Sequence, residues 1–485
     1  MTLDPPCFEL KKASVNKTRF ALIAMIMAST THLSANAATY VVTNNNDGGA
    51  GSLRAALVDA GKADGDHVII LENAGNISIN SPLRYNGANP LSIYGAGQTV
   101  SAKGNHNLLE ATNGADLTLN DIHLVGPGGF SINERGDTGG VSGGKAIFVD
   151  VRDDQTGLVS LTLNNVSVSD VANHGIHISD CNLADDCGGG GGGAGEGSTA
   201  SIAVRLNNVT VNNVGQGRFD ADGLRVDERG EGDVHAVIQN STFSRVGADG
   251  VEIDEGQAGS VIAHVSGSAF MNNGDYCDPA ILASLMPAAD EGEFEDGQKK
   301  EADIPGPVTG SPDDGCFERE VDLYDSGYVE EYEFAIDLDD GFDIDEAGPG
   351  DLQATVIDTV IEGNLDEGLD FDEEDGGSIK MTIVGSKSMN NTDDGYKHSE
   401  EGDGSVFAHV VNSIAMANGG KGFVFEEEDS GNVTVFAQNA NTSQNDDGDD
   451  TGFEVVQEDD GNGLFVVSRS SIADGIDSDG VDLRD

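Results

Sequence analysis

GFDIDEAGPG (341–350), GLDFDEEDGG (368–377), GYKHSEEGDG (395–404) and GFVFEEEDSG (422–431) are four versions of one pattern. Their leading glycines, Gly341, Gly368, Gly395 and Gly422, are 27 residues apart each time. Gly223 (GLRVDERGEG) and Gly250 (GVEIDEGQAG) keep the same step, and Gly452 and Gly480 extend the column after steps of 30 and 28. Asn364, Asn391, Asn418 and Asn445 form a second column at 27. Within each unit apolar and polar residues alternate, which a strand can sustain and a helix cannot. One unit buries only half a face, so it must stack on its neighbours. About 27 residues suit three short strands and three turns. The reading is an all-β, right-handed parallel β-helix of stacked coils.

Two wider gaps fit as insertions. Gly175 to Gly223 is 48 residues and contains the glycine run near 187–198; Gly250 to Gly341 is 91. The insertions are placed at about 181–199 and 275–335 of a single domain, 38–485. A β-propeller needs blades of roughly 40–45 residues and a repeated signature, neither of which is present. Ser52 is placed as the N-cap of a short helix, 53–57, that closes the open end of the core.

The chain has 485 residues, with 25 Lys+Arg against 86 Asp+Glu, a formal charge of -61, 67 glycines and no Trp. This charge excludes nucleic-acid binding, which needs a basic surface to displace counterions. The many short Val/Ile/Phe runs exclude wholesale disorder. Residues 1–37 read as an export signal: Lys11, Lys12, Lys17 and Arg19 precede the apolar run 20–28, and Ala35-Asn36-Ala37 is a cleavage site before Ala38. The expected location is outside the bacterial cytoplasm: extracellular, cell surface or periplasm, with no membrane span after cleavage. An uncleaved anchor is the alternative. Cys181 with Cys187 and Cys277 with Cys316 bracket the two insertions and read as local disulfides, with free thiols the alternative.

YVVTNNNDGGAGSLRAAL (40–57) resembles the amino-terminal segment of exported bacterial β-helix proteins with a CSLREA-type motif, among them adhesin-like and polymorphic outer-membrane proteins. The SLR core is present, and the preceding Cys and following Glu are not. The resemblance implies an exported β-helix and carries over no catalytic residue.

Stacking turns the repeat into rows. His177, Arg225, Glu252, Asp343, Asp370 and Lys397 share one outward row, and Asp227, Asp254, Asp345 and Asp372 share a second. Like charges about 4.8 Å apart repel by about 1 kcal/mol per pair even in water. Ca2+ takes six to eight oxygens in flexible geometry and would relieve this. Glu252, Asp254, Asp343, Asp345, Asp370 and Asp372 are the candidate ligands; a merely solvated acidic face is the alternative. Lys397, with Asp370 and Asp372, is the site to test for catalysis, against the simpler reading of a local salt bridge. His398 falls on an inward column. Asn173-His174-Gly175 and Asn391–Gly395 faintly resemble motifs of pectin-degrading glycoside hydrolases, without their paired downstream Arg-Lys. The preferred expectation is a non-catalytic, Ca2+-binding surface or matrix protein of adhesive type. The alternative is a Ca2+-dependent extracellular polysaccharide lyase or glycoside hydrolase. A passive acidic protein that binds cationic partners or mineral surfaces is the third reading. Expected partners are divalent cations, a polysaccharide or cell-surface ligand, and further copies joined end to end through an uncapped last coil.

Overall fold

The computed structural model describes residues 37–72, 75–130, 143–180, 197–218, 220–274, 291–304, 318–324, 326–335, 338–445, 451–458 and 461–485. Most of the expected export signal and all four cysteines of the expected disulfides lie outside the described residues.

The chain winds as a right-handed parallel β-helix. A 12-stranded parallel sheet runs from Leu83–Tyr85 to Ile476–Asp479, one strand per coil. A 24-stranded sheet holds two further strands of most coils, a long one such as Leu352–Ile357 and a short one such as Val360–Glu362. Long strands pair with long and short with short. The corner between them is a single residue in the left-handed region. Asn208, Asn240, Asp358, Asn412 and Asn439 occupy it with φ between 47° and 55°. Asn and Asp tolerate that conformation because their short side chains bond locally.

The interior is one apolar cluster from Val42 to Phe465. Aromatic rings continue from coil to coil: Tyr396 stacks on Phe423 at 4.7 Å and Phe423 on Phe453 at 4.6 Å. At the opposite corner the asparagines form a buried ladder. Asn364 Nδ2 donates to Asn391 Oδ1 at 3.0 Å, Asn391 to Asn418 at 3.0 Å, and Asn418 to Asn445 at 2.9 Å. The helix Leu53–Ala60 caps the first coil. Ser52 Oγ accepts from the Ala55 N–H, and Leu53, Ala56, Leu57 and Ala60 are buried.

The long gap is an excursion. Val251–Glu255 pairs directly with Phe342–Gly348, so the residues between them leave the coil path. Part of the excursion forms a three-stranded antiparallel sheet, Glu291–Glu293, Glu318–Leu323 and Val329–Ala335, over a separate small core of Ile304, Val329 and Tyr332.

One register differs from the sequence reading. After Phe453 the column continues at Ile476, not Val481, because Phe453 pairs with Ile476. Val481–Arg484 instead pairs with Gly463–Ser468 in the wide sheet. The last coil drops residues between its strands, so Gly475, and not Gly480, precedes the strand.

Candidate active site and buried acid rows

The outward rows of the narrow sheet are in the expected register. Arg225 pairs with Glu252, Glu252 with Asp343, Asp343 with Asp370 and Asp370 with Lys397; Asp254, Asp345 and Asp372 align beside them. A third row comes from the residue before each leading glycine position: Lys145, His174, Asp222, Asp249, Asp340 and Glu367. These groups are not an open acidic face. Asp222 and Asp254 are buried, and Arg225, Glu252, Asp343 and Asp370 are only partly exposed.

At the amino-terminal end the charges interlock. His177 Nε2–H donates to Asp227 Oδ2 at 2.5 Å, which leaves Nδ1 to accept from the Lys145 ammonium. Arg225 reaches Asp227 at 2.7 Å, Asp254 at 2.5 Å, Asp222 at 3.7 Å and also Glu252. The His174 ring nitrogen Nδ1 accepts from the Asp222 N–H at 2.9 Å. Burial pushes Lys145 down to about 7, with Arg218 and Arg225 adding to the effect and Asp227 opposing it. Burial likewise takes His177 down to about 4, helped by Lys145. Asp222 is raised to about 7 by burial and by Asp220. Asp227 is held well below its ordinary range, because Arg225 and His177 outweigh the cost of burial. A depressed lysine beside a neutral imidazole is the pattern of a general base.

The sequence reading missed Lys145. In GGKAIFVD (143–150), Ala146 stands where other coils have glycine, so the repeat is hidden. Lys397 behaves differently. Its Nζ lies 2.8 Å from Asp370 Oδ2 and 3.9 Å from Glu367. Asp370, Asp372 and Glu367 overcome burial and raise its pKa. This ion pairing fits the local salt-bridge reading of Lys397. Asp372 and Asp345 are raised by burial and by neighbouring acids, Asp345 to about 7. His398 is inward, as expected, between Phe371 at 5.7 Å and Phe425 at 4.8 Å.

Among the described residues, three groups of carboxylates bring ligand atoms within 4.8 Å of one another: Asp249, Glu252 and Asp343; Asp340, Asp366 and Glu367; and Asp220, Asp222 and Glu252. Of the six expected ligands, only Glu252 and Asp343 take part. Asp254 is held by Arg225 and Arg229, and Asp370 by Lys397. The Asp220, Asp222 and Glu252 group already surrounds the Arg225 guanidinium, so positive charge is supplied there. The other two are all-oxygen sets of the kind a hard cation takes. Asp249 and Asp340 were visible as turn acids in the sequence; their convergence was not.

A second acid column escaped the sequence reading entirely. Glu228, Glu255, Glu346, Glu373, Glu400 and Glu427 each follow a residue of the second outward row and point inward, each fully buried. Glu373 Oε1 accepts from the Gly377 N–H at 2.6 Å and Glu255 Oε1 from Gly259 at 3.0 Å. Neighbouring carboxyls share hydrogen bonds along the stack. Burial and these contacts raise Glu228 to about 10 and Glu346 to about 11; burial raises Glu373 to about 7 despite its hydrogen bonds. Gln457 ends the column with its amide donating to Glu427.

No protein-family model and no curated protein sequence matches the chain. Solved structures do. An enzymatically active domain of tailspike protein 2 from bacteriophage CBA120 is 12% identical over 79% of this chain, TM-score 0.38, and the chain spans only 44% of that protein. A pectate lyase is 11% identical over 93% of this chain and 79% of its own, TM-score 0.34. A lacto-N-biosidase from Eubacterium ramulus is 10% identical over 92% and 67%, TM-score 0.40. At these values the likeness is one of fold. These three are an enzymatically active domain, a lyase and a biosidase, and the non-catalytic adhesive expectation has no counterpart among them.

Proposed function

We propose that the chain is an exported glycan-active enzyme, a polysaccharide lyase that cleaves uronate-containing chains by β-elimination. The observation that carries this reading is Lys145. It is half-buried, lodged against a neutral His177 oriented by Asp227, and able to be uncharged near neutral pH. The neutral amine takes the proton from the sugar carbon beside the carboxylate. The electron pair left behind forms the ring double bond, the glycosidic C–O bond breaks, and the departing oxygen takes a proton from water. Arg218 acts electrostatically on Lys145 and is the charge suited to meet the substrate carboxylate, since Arg225 is taken up by Asp222, Asp227, Glu252 and Asp254.

Calcium held by Asp249, Glu252 and Asp343 would supply positive charge for a polyanionic chain. Asp249 stands three coils from Lys145, roughly 14 Å at 4.8 Å per coil. Those carboxylates therefore grip a neighbouring sugar rather than the reacting one.

A glycoside hydrolase is the second reading. Asp222, raised to about 7, and Asp227, held ionised, are two carboxyls whose proton affinities are pushed apart. Both are buried, which places the half-buried Lys145 ahead of them.

The test is turnover of polygalacturonate and alginate, followed by ultraviolet absorbance of unsaturated product and by reducing ends. Lyase activity rising with pH through about 7 and lost in Lys145→Ala is the expected result. Reducing ends without unsaturated product would favour the hydrolase. No turnover of either polymer, with and without Ca2+, would remove the lyase reading.

A further inference from the structure

The wide sheet carries a surface of opposite character to the narrow one. Eight long strands, from Thr199–Asn207 to Gly463–Ser468, stack in register and share three outward positions. No Asp or Glu occupies any of these positions. With 86 acids in 485 residues, an even spread would place about four there. The fixed charges are Arg205 and Lys380, the latter paired with Asp351 at the edge of the strip, accompanied by His235, His264 and His409. Large apolar groups are left exposed: Ile262 is 40% exposed and Phe407 43%. Phe407, His409 and Phe436 form a triad of rings, with centroids 4.9, 6.0 and 5.1 Å apart.

Shape decides between occupants. Seven steps of about 4.8 Å by two of about 6.6 Å give a flat strip of roughly 34 by 13 Å, near 450 Å². A stable pair of proteins needs about 800 Å² from each partner. The strip is too narrow for a second copy and matches a polymer chain lying lengthwise across the coils. Its freedom from acids also makes it the face that a polyanion can approach in a chain of charge -61.

We propose that this strip is an accessory polysaccharide-docking face, with the Phe407, His409 and Phe436 rings as its aromatic anchor. Sugar rings present apolar faces that stack on aromatic side chains, while Thr382, Thr434 and Gln438 stand beside the triad in the neighbouring outward positions. The choice of a glycan over another polymer rests on the proposed enzymatic reading; the existence of the strip does not.

The test is affinity electrophoresis of the full chain in gels containing polygalacturonate, alginate or a neutral mixed-linkage β-glucan. Two variants are compared: the pair Phe407→Ala with Phe436→Ala, and Ile262→Asp, which adds charge three coils away and leaves the triad intact. Far-ultraviolet circular dichroism checks that both are folded. The expected result is at least tenfold weaker retention for both variants on at least one polymer, with unchanged turnover of short oligosaccharides. Retardation by the acidic polymers alone or by the neutral one as well distinguishes the two glycan types. Unchanged retention in either folded variant, or no retention of the unaltered chain on any of the three, overturns the proposal. So does a dimer in sedimentation that Ile262→Asp dissociates. Retention without turnover would instead sink the lyase reading and leave the strip standing.

Discussion

Replacing Glu373 by Gln should stabilise the protein at pH 8 relative to its effect at pH 5. Glu373 is fully buried in the inward acid column, accepts from the Gly377 N–H at 2.6 Å, and is raised to about 7 by burial. Above pH 4.5 the unfolded chain releases this proton while the folded chain keeps it. Stability from such a group is therefore fully present below about pH 4.5 and is lost as pH rises to about 7. Each tenfold difference in proton affinity is worth about 1.4 kcal/mol, so the ceiling is about 3 kcal/mol at pH 8. Partial screening in the turn reduces this, and about 1–2 kcal/mol is the working figure. Gln keeps an acceptor for the Gly377 N–H and has no proton to lose. The column already tolerates it, since Gln457 donates to Glu427. The assay is thermal unfolding of both proteins between pH 5 and pH 8. His174, His177 and His398 have lowered pKa values and contribute an opposite slope below pH 6.5, which the difference between variant and parent cancels. A variant that is equally destabilised at pH 5 and pH 8 would refute the protonated column.

Three further perturbations probe the coil. Asn391→Ala removes the Oδ1 that accepts from both the Asn364 N–H and its side chain; leaving those donors unpaired should cost about 2–4 kcal/mol, measured by denaturant unfolding. Gly377→Ala places a Cβ 1.5 Å from the Gly350 carbonyl oxygen, so the coils must separate; we expect a loss of at least about 3 kcal/mol or failure to fold, read by circular dichroism. His398→Phe continues the Phe371 and Phe425 column and removes an imidazole lowered to about 4. Stability from the neutral imidazole is present above about pH 6.5 and lost as pH falls to about 4, so the variant should gain most near pH 4 in a thermal scan.

The coil was legible because its physics is local and repeats. Gly341, Gly368, Gly395 and Gly422 mark one turn, alternation marks inside and outside, and the column Asn364 to Asn445 is the ladder seen in space. The final coil misled the reading because Gly480 imitates the turn while Gly475 performs it, and only pairing of Ile476 with Phe453 distinguishes them. Acid type was legible; acid environment was not. Glu373 and Glu374 are neighbours in sequence, yet one is buried and the other exposed, since successive strand residues face opposite ways.

Sequence alone thus determined the winding, the register of the rows before the last coil and the sign of the net charge, because each follows from residue type and a fixed period. The tertiary structure decided which charged groups meet and which lose water. Lys145 and Lys397 are the same residue type, one in the turn before a strand of the narrow sheet and the other within such a strand. One is depressed by burial beside an imidazole, the other held charged by Asp370, Asp372 and Glu367. Proton affinity depends on what lies within a few ångströms in space, and residues 32 or 82 positions apart in the chain supply it.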